Sequence, residues 1–211
     1  MPGIRRRSDA VRNRARIVAA AVAAFEDGGP QVRLEDLAER AGVGVATVYR
    51  LFGGRDGLVG AAFETVFGAE IEPLAQAARR AADPATGLRD VLGATLERVA
   101  AHRGLFRAAR DSGVLGVDVA ERYLRDLGDV LGAAQRAGAV RPDVSLRDVA
   151  AVLVMVLAVV REGDPDGADR RRYLSLLLDG LRPGAPALPP PAATGWEPPV
   201  PPAHGECSPV G

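Results

Sequence analysis

Only one cysteine, Cys207, occurs in the 211 residues. An intramolecular disulfide and a thiolate metal cluster are therefore excluded, and a reducing cytoplasm is the expected location. Lysine is absent: all 27 basic residues are arginine, and 27 acids balance them. Net charge by itself thus argues for no partner. Aromatic residues are scarce at 4%, which leaves packing to Leu, Val and Ala and favours helices over a β-sandwich. With two histidines and no glycine-rich loop after a strand, no nucleophile–base or metal constellation can be assembled. No enzyme, metal or cofactor is expected. The longest apolar run, residues 149–160, counts 12 between Asp148 and Arg161. A membrane span needs about 18, so the run reads as a buried helix. No apolar signal core follows Arg5-Arg6-Arg7. The expectation is neither secreted nor membrane-bound.

What is present is unevenly distributed. Residues 1–63 hold ten arginines against seven acids, whereas residues 64–182 hold 17 against 18. Arg5, Arg6, Arg7, Arg12, Arg14 and Arg16 face only Asp9 in the first 16 residues. Such a cluster reads as a solvated tail or as a phosphate-binding arm. Helical periodicity recurs along the chain, with no strand pattern and no repeat. A first helix is expected from Ser8 or Asp9 to Asp27, where Gly28-Gly29-Pro30 stops it. Short helices follow over 34–41 and 45–51, then a long one over 55–82 that Asp83-Pro84 ends. Leu88 to Val99, Leu105 to Ala109 and Ala120 to Ala134 mark three more. Ser145 and Asp148 resemble a capping box opening the apolar helix, and a last helix covers 169–181. Ten of the final 29 residues are proline, so residues 183–211 read as a disordered or polyproline-like tail. The fold class is all-α with about nine helices.

A short helix, a glycine turn and a second short helix make a helix-turn-helix. The order of residues within it is specific: Leu37-Ala38, Ala41-Gly42-Val43, Thr47-Val48-Tyr49, Phe52, Arg55-Asp56 and Leu58. It resembles the signature of the TetR repressor family, which runs Ile-Ala, Ala-Gly-Val-Ser, Thr-Leu-Tyr, Phe, Ser-Lys-Glu and Leu. Gly42 permits the tight turn, and Val43, Val48 and Phe52 are spaced to hold the third helix on the first two. Val45, Ala46, Tyr49 and Arg50 are left to enter a major groove. Arg50 can pair bidentately with guanine. The resemblance implies phosphate contacts from Thr47, Tyr49 and Arg55, the last standing where the family has Lys. Three positions depart from it. Gly44 replaces the capping Ser, Arg33 replaces a phosphate-bonding Thr, and Leu51 replaces a frequent His and can pack or touch a thymine methyl.

The resemblance further implies a helix-turn-helix domain over 1–63 and a ligand-binding, dimerising helical domain over 64–182. Residues 141–143 and 171–183 look like one ligand-domain subtype of that family. Pocket candidates are Phe67, Leu92, Thr95, Leu96, Phe106, Tyr123, Leu127 and Met155, each of which also reads as plain core; His102 is a pocket group or a helix cap. Candidates for a twofold four-helix interface are Val152, Val156, Leu174, Leu177, Leu178 and Leu181. The expected function is a homodimeric repressor of a palindromic operator on double-stranded DNA, released by a small apolar effector through the long helix at 55–82. The rivals are a helical protein-interaction module and a small-molecule-binding domain whose degenerate helix-turn-helix no longer reads DNA.

Overall fold

The computed structural model describes residues 2–114, 117–159, 164, 166–184 and 186–190. Every regular element among them is helical. The first helix, α1, spans Pro2–Gly28. It begins six residues before the expected Ser8, because Pro2 suits a first helical turn and the arginines after it are good helix formers. Ile17, Val18, Ala21, Ala24 and Phe25 bury its inner face. Gly29, at φ +71°, ends the helix by donating to the Phe25 carbonyl.

Helix α2 (Leu34–Arg40) and helix α3 (Val45–Phe52) are joined by a turn whose geometry explains its glycine. Gly42 sits at φ +63°, its N–H donating to Glu39 O while Val43 N donates back to Ala38 O. This paired closure requires the left-handed conformation that side chains resist. Helix α4 (Arg55–Val66) opens after Gly53-Gly54.

The long helix expected over 55–82 is interrupted. A π-turn, Phe67–Ile71, joins α4 to helix α5 (Glu72–Ala78), and Glu72 N reaches back to Phe67 O. Pro73 supplies the reason. It has no N–H to offer Ala69, and its ring would strike that carbonyl in an α-helix. The widened turn relieves both.

Asp83 then caps helix α6 (Pro84–Ala101) through Ala85 N and Thr86 N. Helices α7 (Arg103–Asp111) and α8 (Val117–Arg136) follow. Helix α9 (Leu146–Val159) is opened by Ser145, whose N–H and hydroxyl both bond Asp148 at 2.7 Å. Helix α10 (Ala168–Asp179) closes the body. Counting α4 to α5 as one rod, nine rods are described.

A continuous core joins the two ends of the molecule. Helix α7 is central to that continuity, packing on both α1 and α4. The described part of the tail is not free. Arg141 and Asp143 form an ion pair at 2.6 Å, Arg141 bonds Pro186 O, and Leu188 N donates to Asp143 at 2.9 Å. Arg141 beside it, reinforced by the Leu188 N–H, holds the Asp143 carboxyl down at about 2. Residues 191–211, including Trp196 and Cys207, lie outside the described residues.

Candidate functional site

Helix α3 is anchored through Val48, which is fully buried. Half-buried Val45, Leu51 and Phe52 pack beside it. The opposite face presents Ala46, Tyr49 and Arg50, three residues at i, i+3 and i+4 on one stripe. Tyr49 is 57% exposed, and its ring also lies over Gly54, where an added Cβ would stand 3.2 Å from Cε1. Gly44 takes the extended N-cap conformation without a side-chain cap, and its carbonyl accepts the Thr47 N–H at 2.8 Å. Thr47 is half-buried near that end.

Two expected members of the DNA face are half-buried, and for Leu51 packing is one of its two expected roles. Val45 and Leu51 fill the groove between α3 and its neighbours. The Leu51 carbonyl is taken by Arg14 Nη1 at 2.9 Å, and the same guanidinium lies 4.4 Å over the Phe52 ring. Arg14 thereby pins the end of α3 to α1. Arg33 stands at the N-cap of α2 with its side chain 73% exposed, forked onto Asp36 at 3.2 and 3.3 Å. That hydrogen-bonded fork keeps the Asp36 carboxyl below the usual carboxylate range and raises Arg33.

Arg55 is held within the protein. Its Nε donates to Val32 O at 2.9 Å, its Nη2 to Pro30 O at 2.5 Å, and Nη1 lies 3.4 Å from Ser112 Oγ. The guanidinium also sits 5.6 Å over Phe25. Its fork is aimed at protein carbonyls, because the first turn of α4 passes directly beneath the α1–α2 loop.

The pocket candidates converge, with one exception. Phe67, Leu92, Thr95, Leu96, Tyr123 and Leu127 are buried and Phe106 is half-buried. Phe67 meets Tyr123 edge-on at 5.8 Å, and Phe63 meets Phe106 at 5.3 Å. Phe63, which the sequence did not single out, completes this aromatic cluster. Within it, Thr95 Oγ1 and Tyr123 OH share a buried hydrogen bond of 2.7 Å. Burial pushes the Tyr123 hydroxyl up to about 12, against the smaller downward pull of Thr95. Two surface grooves lie elsewhere, one lined by Leu88, Val140, Leu178 and Leu181, the other by Ala24, Val32, Arg33 and Asp36. Met155 is not part of the cluster: it is 47% exposed on the outer face of α9.

That outer face corrects the dimer candidates too. Val152, Val156, Leu174, Leu178 and Leu181 are each 9% exposed or less, inside the protomer's own core. Leu177 is half-buried. Ala151, Val154, Met155 and Ala158 form the exposed stripe of α9, and Leu176 on α10 is 69% exposed. His102, at the junction of α6 and α7, is buried between two carboxylates. Its Nε2 bonds Glu70 Oε2 at 3.1 Å, and Nδ1 stands 2.7 Å from Glu26 Oε1 without hydrogen-bond geometry. Arg98 pairs with the same Glu70 at 3.6 Å.

Residues 17–62 match the family described as bacterial regulatory proteins of the tetR family, and residues 83–183 match the SbtR-like transcriptional regulator C-terminal domain. A TetR transcriptional regulator from Streptomyces coelicolor is 32% identical, with a TM-score of 0.60 over 82% of this chain and 99% of its own. The chain belongs to the TetR family of transcriptional regulators. A family member from Mycobacterium vanbaalenii is 34% identical, with a TM-score of 0.57 over 83% of this chain and 98% of that one. The TetR-like regulator LfrR from Mycobacterium smegmatis, solved in complex with proflavine, is 25% identical over 85% and 99%, with a TM-score of 0.56. No curated protein is significantly similar in sequence. The two matched segments run from within α1 into α4 and from the start of α6 to just past α10. No described helix is long and apolar enough to cross a membrane.

Proposed function

We propose that this TetR-family regulator is a one-component repressor, dimeric on a palindromic operator and released by a small ligand. The observation that carries the DNA half is the stripe of Ala46, Tyr49 and Arg50 standing outward on a helix fixed from behind by Val48. A helix so presented enters a major groove with its N-terminal half against base edges. Arg50 reads guanine through a forked pair, Tyr49 and Thr47 offer hydroxyls to phosphate, and Arg33 offers its exposed guanidinium at the start of α2.

Pairing of two copies fits the exposed stripe Ala151, Val154, Met155 and Ala158 with Leu176, an apolar surface that water disfavours. Release fits the aromatic cluster. A ligand entering there displaces Phe67 and Phe106 and finds one polar pair, Thr95 with Tyr123, so it combines an apolar body with one hydrogen-bonding group. The complex of the similar regulator LfrR with proflavine supports a small-molecule ligand for this chain.

The test is selection of a binding duplex from a random library, followed by titration of that duplex at several salt concentrations. A palindrome should emerge, and affinity should fall by about 10³–10⁵ between 50 and 200 mM salt for a total of roughly 6–10 phosphate contacts. Failure to enrich any sequence, with a flat salt response, would remove the DNA reading and leave the helical interaction module.

A further inference from the structure

We propose that Arg55 is a positioning residue for DNA binding rather than a phosphate ligand: it sets the α1–α2 loop and ties that loop to the end of α7. The inference rests on the DNA reading above but concerns a different set of contacts. The loop of residues 29–33 has no regular hydrogen-bond ladder of its own. Its carbonyls at Pro30 and Val32 are satisfied by the two arms of the Arg55 guanidinium. A planar fork can hold two acceptors at once in fixed geometry, which an ammonium does poorly.

What the loop carries explains why its position matters. Residue 33, the next after Val32, is the N-cap of α2, and its exposed side chain stands at the DNA end of the molecule. Helix α2 in turn supports α3 through the Gly42 turn. A displacement of the loop therefore moves Arg33 and the seat of the recognition helix together.

The same guanidinium faces the other half of the protein. Its Nη1 lies 3.4 Å from Ser112 Oγ, at the C-cap of α7. Helix α7 also carries Phe106 into the aromatic cluster, against Phe63 of α4. Arg55 thus stands between the element that touches the sensor core and the loop that touches DNA. With both arms bonded to carbonyls and its side chain 29% exposed, it has lost the freedom that a phosphate contact requires.

The experiment uses the full chain with Arg55→Ala and the charge-conserving Arg55→Lys. Hydrogen exchange without DNA is read over residues 29–33 and 108–114. Both variants should exchange at least tenfold faster over residues 29–33 and measurably faster over residues 108–114. The log–log salt slope of Arg55→Ala on the selected duplex should stay within half a unit of wild type, while affinity falls about tenfold. A phosphate ligand predicts the opposite pattern: unaltered exchange, and a slope reduced by about 0.9 per subunit, close to 2 for a dimer. Unaltered exchange over residues 29–33, or a slope loss near 2, overturns the proposal. Should Arg55→Ala fail to fold, Arg55→Lys decides alone, since a phosphate role predicts wild-type exchange and affinity for it. If wild type binds no duplex at all, the DNA reading fails and Arg55 as a determinant of DNA binding falls with it. The exchange data then report only whether it holds the loop.

Discussion

Replacing Gly104 with alanine isolates the contact between the sensor half and α1. A Cβ built at Gly104 would stand 2.0 Å from the Phe25 carbonyl oxygen and 3.2 Å from Gly29 Cα. Both neighbours are backbone, so no side chain can rotate away, and relief needs more than 1 Å of separation between α7 and the end of α1. Helix α7 is held against that motion at both ends. His102 sits by Glu26 of α1, and Ser112 sits by Arg55. Alanine restores up to about 1 kcal/mol of helix propensity, while forced displacement in a packed interior costs about 1–3 kcal/mol or more. Backbone contact places Gly104→Ala at the upper end, a net loss of about 2 kcal/mol. For a chain of this size that is about 4–8 °C in Tm.

Gly128→Ala in α8 is the control. Its new Cβ meets only Leu146 Cδ2 at 3.6 Å, an ordinary contact, so it should be neutral to stabilising by about 0.5–1 kcal/mol. Urea unfolding of the two variants and wild type makes the comparison. Equal stability of Gly104→Ala and Gly128→Ala would refute the claim that α7 is pressed against α1 at this point.

Three other outcomes follow from particular contacts. The buried Tyr123 hydroxyl, raised to about 12, contributes stability that is fully present below pH 10 and is lost as pH rises through 12. Alkaline unfolding should therefore be steeper in wild type than in Tyr123→Phe, the phenolate absorbing only near pH 12; coincident curves would contradict this. Met155→Arg places a charge on the exposed α9 stripe and should shift sedimentation to the monomer without lowering Tm, whereas Val152→Arg should unfold the protomer. A Met155→Arg protein that remains dimeric would move the interface elsewhere. Asp143, held at about 2 by Arg141 and the Leu188 N–H, supports the fold above the ordinary carboxylate range and loses that support as pH falls toward 2. A chain ending at Gly184 should unfold at a higher pH in acid titration, and an unchanged midpoint would show the tail contact to be idle.

These predictions also mark where residue order was informative and where it was not. The Gly42 turn and the Ser145–Asp148 box are closed by partners three to five residues apart, so sequence spacing alone specifies them. Val48 as anchor and Tyr49 with Arg50 as the free face follow from helical period in a helix of mixed polarity. Residues 149–160 offer no such contrast. A run apolar on every side has no readable phase, so Met155 and Val152 exchanged places between core and surface. Pro73 is the residue within 55–82 that marks the π-turn, and the expectation of one unbroken helix took no account of it. Arg55 was illegible for another reason. Its acceptors are backbone carbonyls 23 and 25 residues upstream, and carbonyls leave no trace in residue identity. The carboxylates flanking His102, 76 and 32 residues away, are equally remote.

The central claim is that α3 reads DNA through its exposed stripe. Its most direct measurement is the affinity of wild type and Arg50→Ala for the selected duplex and for duplexes with each base pair changed in turn. Loss of one forked guanine contact should abolish discrimination at a single symmetric position, worth about 1–3 kcal/mol per half-site, and leave the other positions as they were. Uniform weakening at every position, or no change at any, would contradict the account.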